Sequence, residues 1–238
     1  MSSRESRITS HGFFVTGTDT GVGKTLVACA LLHALSARGS RVVGMKPVAA
    51  GARKHAGRLI NDDVEALVEA STISAPAEEV NPYCFEAAIA PHIAASKLGV
   101  CIELARLREA YSALARRADC VIVEGAGGFL VPLGAHFDTA DLAAELALPV
   151  IVVVGMRLGC INHALLTGAA IRRRGLPVAG WIANHIDPQM DCAAENVDTI
   201  AARMGASLLA RIPYSAKIDA VRVARELNVQ SLYSSEPA

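Results

Sequence analysis

The most informative segment of the sequence is a glycine-rich run, Gly17–Thr25 (GTDTGVGKT), between an apolar stretch and an apolar helical pattern. Glycines in such a turn let successive backbone N–H groups point at a phosphate, and the following helix adds partial positive charge. We expect Lys24 to reach the β- and γ-phosphates and the Thr25 hydroxyl to ligate Mg²⁺. The run therefore predicts a site for a nucleoside triphosphate.

This run departs from the common phosphate-binding pattern by one residue. Five residues separate Gly17 from Gly23, and Thr18 stands at the usual glycine position. The alternative interpretation is a tight strand-to-helix turn that contains Gly-Lys-Thr and binds nothing. The apolar strand before the run and the helix after it favour phosphate binding.

Charged residues also end two other apolar runs that have the character of strands, at Lys46 and at Glu124. Ligands of open parallel sheets bind at the carboxyl ends of strands, so we expect Lys46 to neutralise a transferring phosphoryl group. The alternative for Lys46 is an ordinary exposed lysine before the Pro47 turn. A buried glutamate without a partner is costly, which favours a metal or another cation beside Glu124.

Two aspartates precede a helical pattern after Asn61. We expect Asp62 to be the N-cap of that helix, which leaves Asp63 to ligate Mg²⁺ because hard cations prefer carboxylate oxygens.

Three more strand ends carry candidate binding residues. The segment Gly159–His163 forms a second glycine-bearing helix start, which suits an anion such as a carboxylate. Cys160 as a nucleophile is an alternative, but it has no obvious base partner in the sequence. Asn184 with His185, and Pro213 with Tyr214, follow the last two strands, and a side-chain amide offers the donor and acceptor that an adenine edge requires.

Short apolar runs alternate with longer helical patterns along the whole chain, which predicts a doubly wound, mostly parallel α/β sheet in three layers. The predicted strands are Phe13–Thr16, Arg41–Lys46, Cys120–Val123, Val150–Val154, Val178–Ala183 and Ser207–Ile212. The predicted helices are Lys24–Ser36, Ile102–Arg117, Ile161–Arg174 and Asp191–Met204. No linker or repeat divides the chain, so we expect one ATP-binding domain over residues 1–238, with loose tails at 1–11 and 230–238.

Composition excludes several classes of protein. The chain has 238 residues, of which 52% are hydrophobic and 19% charged, and this excludes intrinsic disorder. Equal numbers of basic and acidic residues, 23 of each, argue against a general nucleic-acid binder. Six cysteines without metal-type spacing, and no signal-like or membrane-spanning stretch, lead us to expect a cytosolic protein with reduced thiols.

As a set, the motifs resemble the dethiobiotin synthetase family, and the resemblance runs from about Phe13 to about Tyr214. The longer phosphate loop is similar to that family's own version. The segments that carry the resemblance are Gly17–Thr25, Lys46–Val48, Asn81–Tyr83, Pro91–His92, Val123–Gly128, Gly159–His163 and Trp181–Asn184.

The resemblance implies an ATP-dependent cyclo-ligase of biotin synthesis, with a phosphate-loop NTPase fold. Its substrates would be 7,8-diaminononanoate, CO₂ and Mg-ATP, and its product a five-membered cyclic urea. The implied route passes through a carbamate and a carbamic–phosphoric anhydride. The resemblance also implies a homodimer with shared substrate sites and no nucleic-acid or membrane partner.

Residue roles follow from the same resemblance. Lys24 and Lys46 would be the catalytic cations, and Thr25, Asp63 and Glu124 the Mg²⁺ ligands. The implied nucleotide site consists of Gly21, Val22, Gly23, Lys24, Thr25, Leu26, Glu124, Gly125, Ala126, Gly127, Asn184, His185, Pro213 and Tyr214. The implied substrate site consists of Thr20, Lys46, Ala50, Gly159, Cys160, Ile161 and Asn162, the last four supplied by the second subunit.

Three positions depart from the family pattern. Ala50 stands where the family often has serine, which removes one hydroxyl contact to the diamine, worth about 0.5–1.5 kcal/mol. Arg157 stands where lysine is expected, and Gly21 replaces an acidic residue found in some relatives.

The main rival interpretation is a partition-type or cell-division-type ATPase, which shares the phosphate loop. Those proteins carry a lysine early in the loop, where this chain has Thr18-Asp19-Thr20, and the stretch Glu226–Ala238 lacks an amphipathic membrane-binding pattern. A second rival, an amide-forming synthetase of corrinoid synthesis, needs a glutaminase domain that 238 residues cannot accommodate. A non-enzymatic binding module would leave Lys46, Asp63 and Glu124 without a shared purpose.

Overall fold

The computed structural model describes residues 12–215 and 219–232. The strands in these ranges are β1 (Gly12–Gly17), β2 (Val42–Met45), β3 (Val48–Ala50), β4 (Arg53–His55), β5 (Arg58–Ile60), β6 (Tyr83–Phe85), β7 (Cys120–Glu124), β8 (Val150–Met156), β9 (Val178–His185) and β10 (Leu208–Ile212). The helices are α1 (Lys24–Ser36), α2 (Asp62–Ala70), α3 (Ala77–Val80), α4 (Pro91–Lys97), α5 (Leu104–Ala115), α6 (Thr139–Glu145), α7 (Cys160–Arg173), α8 (Ala193–Met204) and α9 (Ala220–Glu226), followed by a 3₁₀ helix at Val229–Leu232.

A six-stranded parallel sheet, in the order β10-β9-β8-β1-β7-β2, forms the centre of the molecule. Strands β1, β7 and β8 are apolar along most of their length and buried throughout, as strands between two helical layers must be. Alternate residues face opposite layers, so Phe14 packs with residues of α5 to α8, and Val15 packs with residues of α1 and α9. The predicted doubly wound α/β fold in three layers is confirmed.

The strand register brings the carboxyl ends of the central strands to one edge. Val15 pairs with Glu124, and Gly17 at the end of β1 pairs with Val153 of β8. Gly155 of β8 pairs with Asn184 of β9. The six predicted strands and the four predicted helices are all present, with ends within two residues of those expected. The residues that follow these strands therefore lie along one edge of the sheet, as the sequence predicted.

The sequence did not predict the smaller elements. Strands β3 and β6 form a short parallel pair, and β4 and β5 form a mostly exposed hairpin. Each of these strands has only three residues, too few to show a hydrophobic period. The predicted N-cap at Asp62 is wrong. Asn61 caps α2, with its side-chain oxygen accepting from the Val64 N–H at 3.3 Å, and Asp62 is the first helical residue.

The predicted C-terminal tail also begins too early. Residues 230–232 belong to the 3₁₀ helix, and Leu232 is only 2% exposed because it packs in the cluster against α1 and α9. The predicted tails at 1–11 and 233–238 lie outside the described residues. In the ranges that the structure describes, no helix has the length and apolar character needed to cross a membrane.

Candidate active site

The phosphate loop leads from β1 into α1, as predicted. Gly23 is the N-cap residue of α1 and has a φ of 91°, a left-handed conformation that suits glycine. A Cβ atom on Gly23 would also lie 2.3 Å from Nδ2 of Asn184, so no other residue fits without moving that amide. The free N–H groups of the first turn of α1 thus begin directly at the loop.

Lys24, the first residue of α1, is buried, and its ammonium donates to the backbone carbonyl oxygen of Asp19 at 3.0 Å. Burial lowers the pKa of Lys24, and the nearby charge of Lys46 lowers it further. The carboxylates of Glu124, Asp63 and Asp19 raise the pKa but do not outweigh these effects. An anion at the loop would add further opposite charge and favour the charged form of Lys24.

The centre of the candidate site is a cluster of Lys46, Asp63 and Glu124. The Lys46 ammonium lies 2.6 Å from Oε1 of Glu124 and 2.8 Å from Oδ2 of Asp63. Lys46 and Glu124 are buried, whereas the Asp63 side chain is 41% exposed and opens the cluster toward solvent. The structure therefore brings together three residues that the sequence proposed separately.

The charges in this cluster depend on one another. Burial would lower the pKa of Lys46, but the carboxylates of Glu124 and Asp63 outweigh that effect and raise it. Burial raises the pKa of Glu124 more than the Lys46 ammonium lowers it. For Asp63, burial acts to raise the pKa, but the Lys46 charge and hydrogen bonds from Lys46 and Thr25 lower it. Lys46 consequently stays charged even though it has almost no contact with water.

The Thr25 hydroxyl joins this cluster from the first turn of α1. Its oxygen lies 2.8 Å from Oδ1 of Asp63 and 2.9 Å from Oε1 of Glu124, although a hydroxyl can donate only one proton. The second oxygen of Glu124, Oε2, is buried without a hydrogen-bond partner among the described residues. The structure brings the oxygens of Thr25, Asp63 and Glu124 together, and hard oxygen donors of this kind suit Mg²⁺. Their use as Mg²⁺ ligands stays a prediction.

The protein alone does not enclose a metal at this cluster. Within residues 12–215 and 219–232, no group of three His, Cys, Asp or Glu side chains could hold a metal ion. Mg²⁺ characteristically keeps few protein ligands and takes others from water and substrate phosphates. The donor set therefore suits a metal that arrives with a nucleotide.

Two hydrogen bonds hold the backbone of Lys46 in place. The Lys46 N–H donates to the Val80 carbonyl at 2.8 Å, and Nδ2 of Asn81 donates to the Lys46 carbonyl at 2.6 Å. Asn81 was expected only as part of a matching motif, and its contact with Lys46 was not predicted. No local pattern links residues 35 positions apart, so only the folded arrangement shows this role.

Two predicted substrate residues, Ala50 and Thr20, are linked to segments that follow or precede members of the cluster in the chain. The Ala50 carbonyl accepts from Nδ2 of Asn61 at 3.3 Å, which ties β3 to the start of the helix that carries Asp63. Thr20 is exposed, and its hydroxyl would lie 3.6 Å from a Cβ atom on Gly127. The glycine-rich segment Gly125–Gly128 therefore passes beside the phosphate loop, with Gly125 fixed by its N–H to the Val15 carbonyl at 3.0 Å.

The phosphate loop also takes part in an ion pair that the sequence did not predict. The Arg157 guanidinium lies 2.5 Å from Oδ2 of Asp19, with both side chains about half exposed. A hydrogen bond from the Thr20 N–H and the contact with Arg157 lower the pKa of Asp19. The pair links the phosphate loop to the segment between β8 and α7.

That segment contains the predicted carboxylate-binding residues Gly159, Cys160, Ile161 and Asn162. Gly159 is the N-cap of α7, as expected for a helix start. The Cys160 side chain is buried with Sγ 3.8 Å from Oδ1 of Asn196, which gives no support to a nucleophilic role. Among the described residues, we find no hydrogen bond from these four residues to Lys46, Asp63 or Glu124. The neighbouring Leu158 is 93% exposed.

The predicted nucleoside residues lie at the ends of β9 and β10. Asn184 is buried, and its Nδ2 donates to the Val22 carbonyl at 2.8 Å. His185 is partly buried, and burial together with the charge of Arg211 lowers its pKa. Pro213 and Tyr214 are exposed. A contact between Asn184 and the phosphate loop was not expected from the sequence.

Comparison with known proteins adds independent information. Residues 11–222 match the protein family described as "AAA domain". The chain is 55% identical to the ATP-dependent dethiobiotin synthetase of Aromatoleum aromaticum over 92% of this chain and 97% of the relative. It is 55% identical to the enzyme of that name from Nitrosospira multiformis, over 88% of this chain and 91% of the relative. The enzyme of that name from Xanthomonas axonopodis is 48% identical, over 91% and 97% respectively.

Solved structures resemble the fold at much lower identity. The MinD cell division protein of Aquifex aeolicus has a TM-score of 0.56 and 16% identity, covering 94% of each chain. A ParA family ATPase from Chlorobium tepidum has a TM-score of 0.52 and 17% identity, covering 94% of this chain and 89% of the other. At these identities the likeness shows a shared phosphate-loop NTPase fold and nothing more.

Proposed function

The chain belongs to the ATP-dependent dethiobiotin synthetase family, a family of ligases, and from that premise we propose that it converts 7,8-diaminononanoate, CO₂ and ATP into dethiobiotin, ADP and phosphate. The observation that supports this most directly is the meeting of Lys46, Asp63 and Glu124 with Thr25 at the start of α1. A cation held between two carboxylates beside a phosphate loop suits the transfer of a phosphoryl group to an anionic acceptor.

The proposed reaction has three steps. An amine nitrogen of the substrate first bonds to the carbon of CO₂ and loses a proton, giving a carbamate. A carbamate oxygen then attacks the γ-phosphorus of ATP, the bond to ADP breaks, and a carbamic–phosphoric anhydride forms. The second amine attacks the carbamoyl carbon and loses a proton, and phosphate leaves with the oxygen that came from CO₂, which closes the ring.

Both nucleophiles belong to the substrate, so the protein's task in this proposal is positioning and charge neutralisation. Lys24 would contact the β- and γ-phosphate oxygens from the loop. Lys46 would face the carbamate and the transferring phosphoryl group from the end of β2. Two ammonium groups on either side of the reacting oxygen would reduce repulsion between the anionic carbamate and the anionic γ-phosphate.

Mg²⁺ would be held by the Thr25 hydroxyl and by the carboxylates of Asp63 and Glu124. When bound, it supplies positive charge to the phosphate oxygens of ATP. Asp63, the more exposed of the two carboxylates, lies on the solvent side of the cluster.

We assign the remaining predicted residues to the two ends of the substrates. The nucleotide would contact Gly21–Leu26, Glu124–Gly127, Asn184, His185, Pro213 and Tyr214. The diamine would contact Thr20, Lys46 and Ala50, and its carboxylate the segment Gly159–Asn162.

A homodimer is part of the proposal, because Gly159–Asn162 makes no hydrogen bond to the cluster among the described residues, and the adjacent Leu158 is 93% exposed. A segment from a second copy would then complete each site. Light scattering should give the mass of a dimer. Mixing inactive Lys46→Met subunits with inactive Asn162→Arg subunits should restore activity if sites are shared, whereas no recovery in a proven mixed dimer would contradict sharing.

The proposal also places the enzyme in the cytoplasm. All six cysteines lie within the described residues and are free thiols, which suits a reducing compartment.

An isotope experiment tests the proposed route. With freshly dissolved C¹⁸O₂ and unlabelled ATP, the phosphate released in a short, quenched reaction should carry one ¹⁸O atom in proportion to the label remaining in CO₂. Unlabelled phosphate, formed together with dethiobiotin, would exclude attack by a carbamate oxygen. The matched control omits the diamine and should release no labelled phosphate.

A further inference from the structure

Asn184, at the end of β9, makes a buried contact with the phosphate loop that the proposed nucleotide site does not explain. Its Nδ2 donates to the Val22 carbonyl at 2.8 Å, and Asn184 is only 6% exposed. A carbonyl can only accept, so the amide nitrogen must face Val22 and the amide oxygen is turned away from the loop.

The loop is shaped around this amide. Val22 comes directly before Gly23, the N-cap of α1, so its carbonyl belongs to the turn that directs the first N–H groups of the helix. A Cβ atom on Gly23 would lie 2.3 Å from Nδ2 of Asn184. With the amide in this place, the observed path of the turn therefore requires glycine at position 23.

Gly155, the neighbour of Asn184 in the sheet, receives the Val22 side chain. Gly155 pairs with Asn184, and a Cβ atom on Gly155 would lie 2.7 Å from Cγ1 of Val22. Val22 is thus fixed twice, through its side chain against β8 and through its carbonyl against β9. Only the second contact is polar and directional.

We propose that Asn184 is a positioning residue for the phosphates, which holds the Val22–Gly23 turn so that the N–H groups at the start of α1 face the ligand. This rests on the proposed function only in taking a nucleotide as that ligand. Removing the amide would leave the Val22 carbonyl buried without its donor, and the turn would relax to find another one. Hydrogen-bond donors that are already in position before the ligand binds stabilise it more than donors that must first reorganise.

The test must separate this role from contact with the base. We would measure binding of Mg²⁺-tripolyphosphate, which has neither base nor ribose, and of Mg-ATP and Mg-GTP by calorimetry. The variants are Asn184→Ala and Asn184→Asp, which keeps the side chain's size and removes its donor. Asn196→Ala is the control, because Asn196 donates to the Cys192 carbonyl at the same 2.8 Å, but in an exposed hydrogen bond at the start of α8. Hydrogen exchange of residues 17–26 is followed in the ligand-free proteins.

We expect Asn184→Ala to weaken tripolyphosphate binding about tenfold or more, to lower affinity for ATP and GTP by similar factors, and to speed exchange in residues 17–26. Asn196→Ala should change none of these. Unchanged tripolyphosphate affinity and exchange, with only ATP weakened, would overturn the proposal and leave Asn184 a base contact alone. If Asn184→Ala does not fold, the same measurements on Asn184→Asp test the proposal.

Failure of the proposed function gives a different pattern. A wild-type protein that forms no dethiobiotin but still binds ATP would contradict the proposed function and leave the affinity test of Asn184 intact. If the wild-type protein binds neither ATP nor tripolyphosphate, hydrogen exchange in the ligand-free proteins alone tests Asn184. Faster exchange of residues 17–26 in the Asn184 variants would still support the positioning role, and unchanged exchange would overturn it.

Discussion

The ammonium of Lys46 lies 2.6 Å from Oε1 of Glu124, with 6% and 1% of the two side chains exposed. Lys46 directly follows β2, and Glu124 is the last residue of the adjacent β7, in which Val123 pairs with Met45. The parallel register therefore places a cation and an anion side by side at the edge of the sheet where ligands bind. Neither charged group has substantial contact with water, so the charge of each stabilises the charge of the other.

Lys46→Met should lower the free energy of unfolding by about 3–5 kcal/mol, because it leaves a buried carboxylate unpaired. Lys46→Met combined with Glu124→Gln should cost less than the sum of the single changes, since the double variant buries no unpaired charge. Urea denaturation of the parent, the two single variants and the double variant measures the coupling free energy between Lys46 and Glu124. Additive effects would show that the pair does not interact as its geometry requires.

The same Lys46→Met change should reduce kcat by about 10²–10³ or more, because it removes a charge aimed at the developing anion. Lys54→Met is the matched control. Lys54 is an exposed lysine of the β4–β5 hairpin paired with Glu86, and its loss should leave kcat within twofold of the parent. Near-normal turnover of folded Lys46→Met would remove Lys46 from the mechanism.

Glu124→Gln should weaken Mg-ATP binding by at least about tenfold while changing binding of metal-free ATP much less. The amide keeps the size of the carboxylate and removes its charge, so the loss reports metal binding. Calorimetric titrations with Mg²⁺ and with EDTA measure the two affinities. Equal Mg-ATP affinity in parent and variant would refute the assignment of Glu124 as a metal ligand.

Gly23→Ala should abolish most of the affinity for ATP, since its Cβ would meet the Asn184 amide at 2.3 Å and its φ is 91°. Gly39→Ala is the control for the cost of placing alanine in a left-handed backbone conformation. Gly39 has a φ of 87°, and no atom lies within 4 Å of the added Cβ. Gly39→Ala should lose about 1–2 kcal/mol of stability and Gly23→Ala at least as much, but only Gly23→Ala should lose nucleotide affinity. Equal ATP affinities would mean that the contact between Gly23 and Asn184 does not shape the loop.

Stability should fall at high pH through Cys120. Burial, with a smaller contribution from the Asp119 charge, raises the pKa of the Cys120 thiol to about 12 from an ordinary 9.0. Between these values the unfolded chain loses the proton and the folded chain keeps it, so stability falls as pH rises through this window. By pH 10 the loss is about 1.4 kcal/mol.

Cys120→Ala removes that titration. The difference in unfolding free energy between the parent and Cys120→Ala, measured in urea at pH 7 and pH 10, should therefore shrink by about 1.4 kcal/mol. Exposed Cys101→Ala serves as the control for thiol chemistry in general. A difference that does not change with pH would contradict the buried, protonated thiol.

The sequence predicted those parts of the site that depend on local pattern or on strand ends. Gly17–Thr25 carries its own phosphate-binding signature, and apolar runs ending at Lys46 and Glu124 predicted that these side chains would share an edge. Contacts that depend on tertiary packing could not be predicted from the sequence. The amide of Asn81 bonds the Lys46 carbonyl, and Asp19 pairs with Arg157 across 138 positions. Neither contact leaves a periodic or spaced trace in the chain.

Polar turns limited the fold prediction in the same way. Asn61 and Asp62 are both good N-caps in isolation, and the choice of Asn61 follows from its second bond to the Ala50 carbonyl, which only the folded chain provides.

Phosphate release from Mg-ATP and bicarbonate, measured with and without 7,8-diaminononanoate and with products followed by mass, tests the proposed function most directly. We predict release that depends on the diamine, one dethiobiotin for each phosphate, and loss of both products in Lys46→Met. Slow release that is indifferent to the diamine, with no dethiobiotin, would contradict the proposed ligase activity and favour a nucleotide-dependent switch.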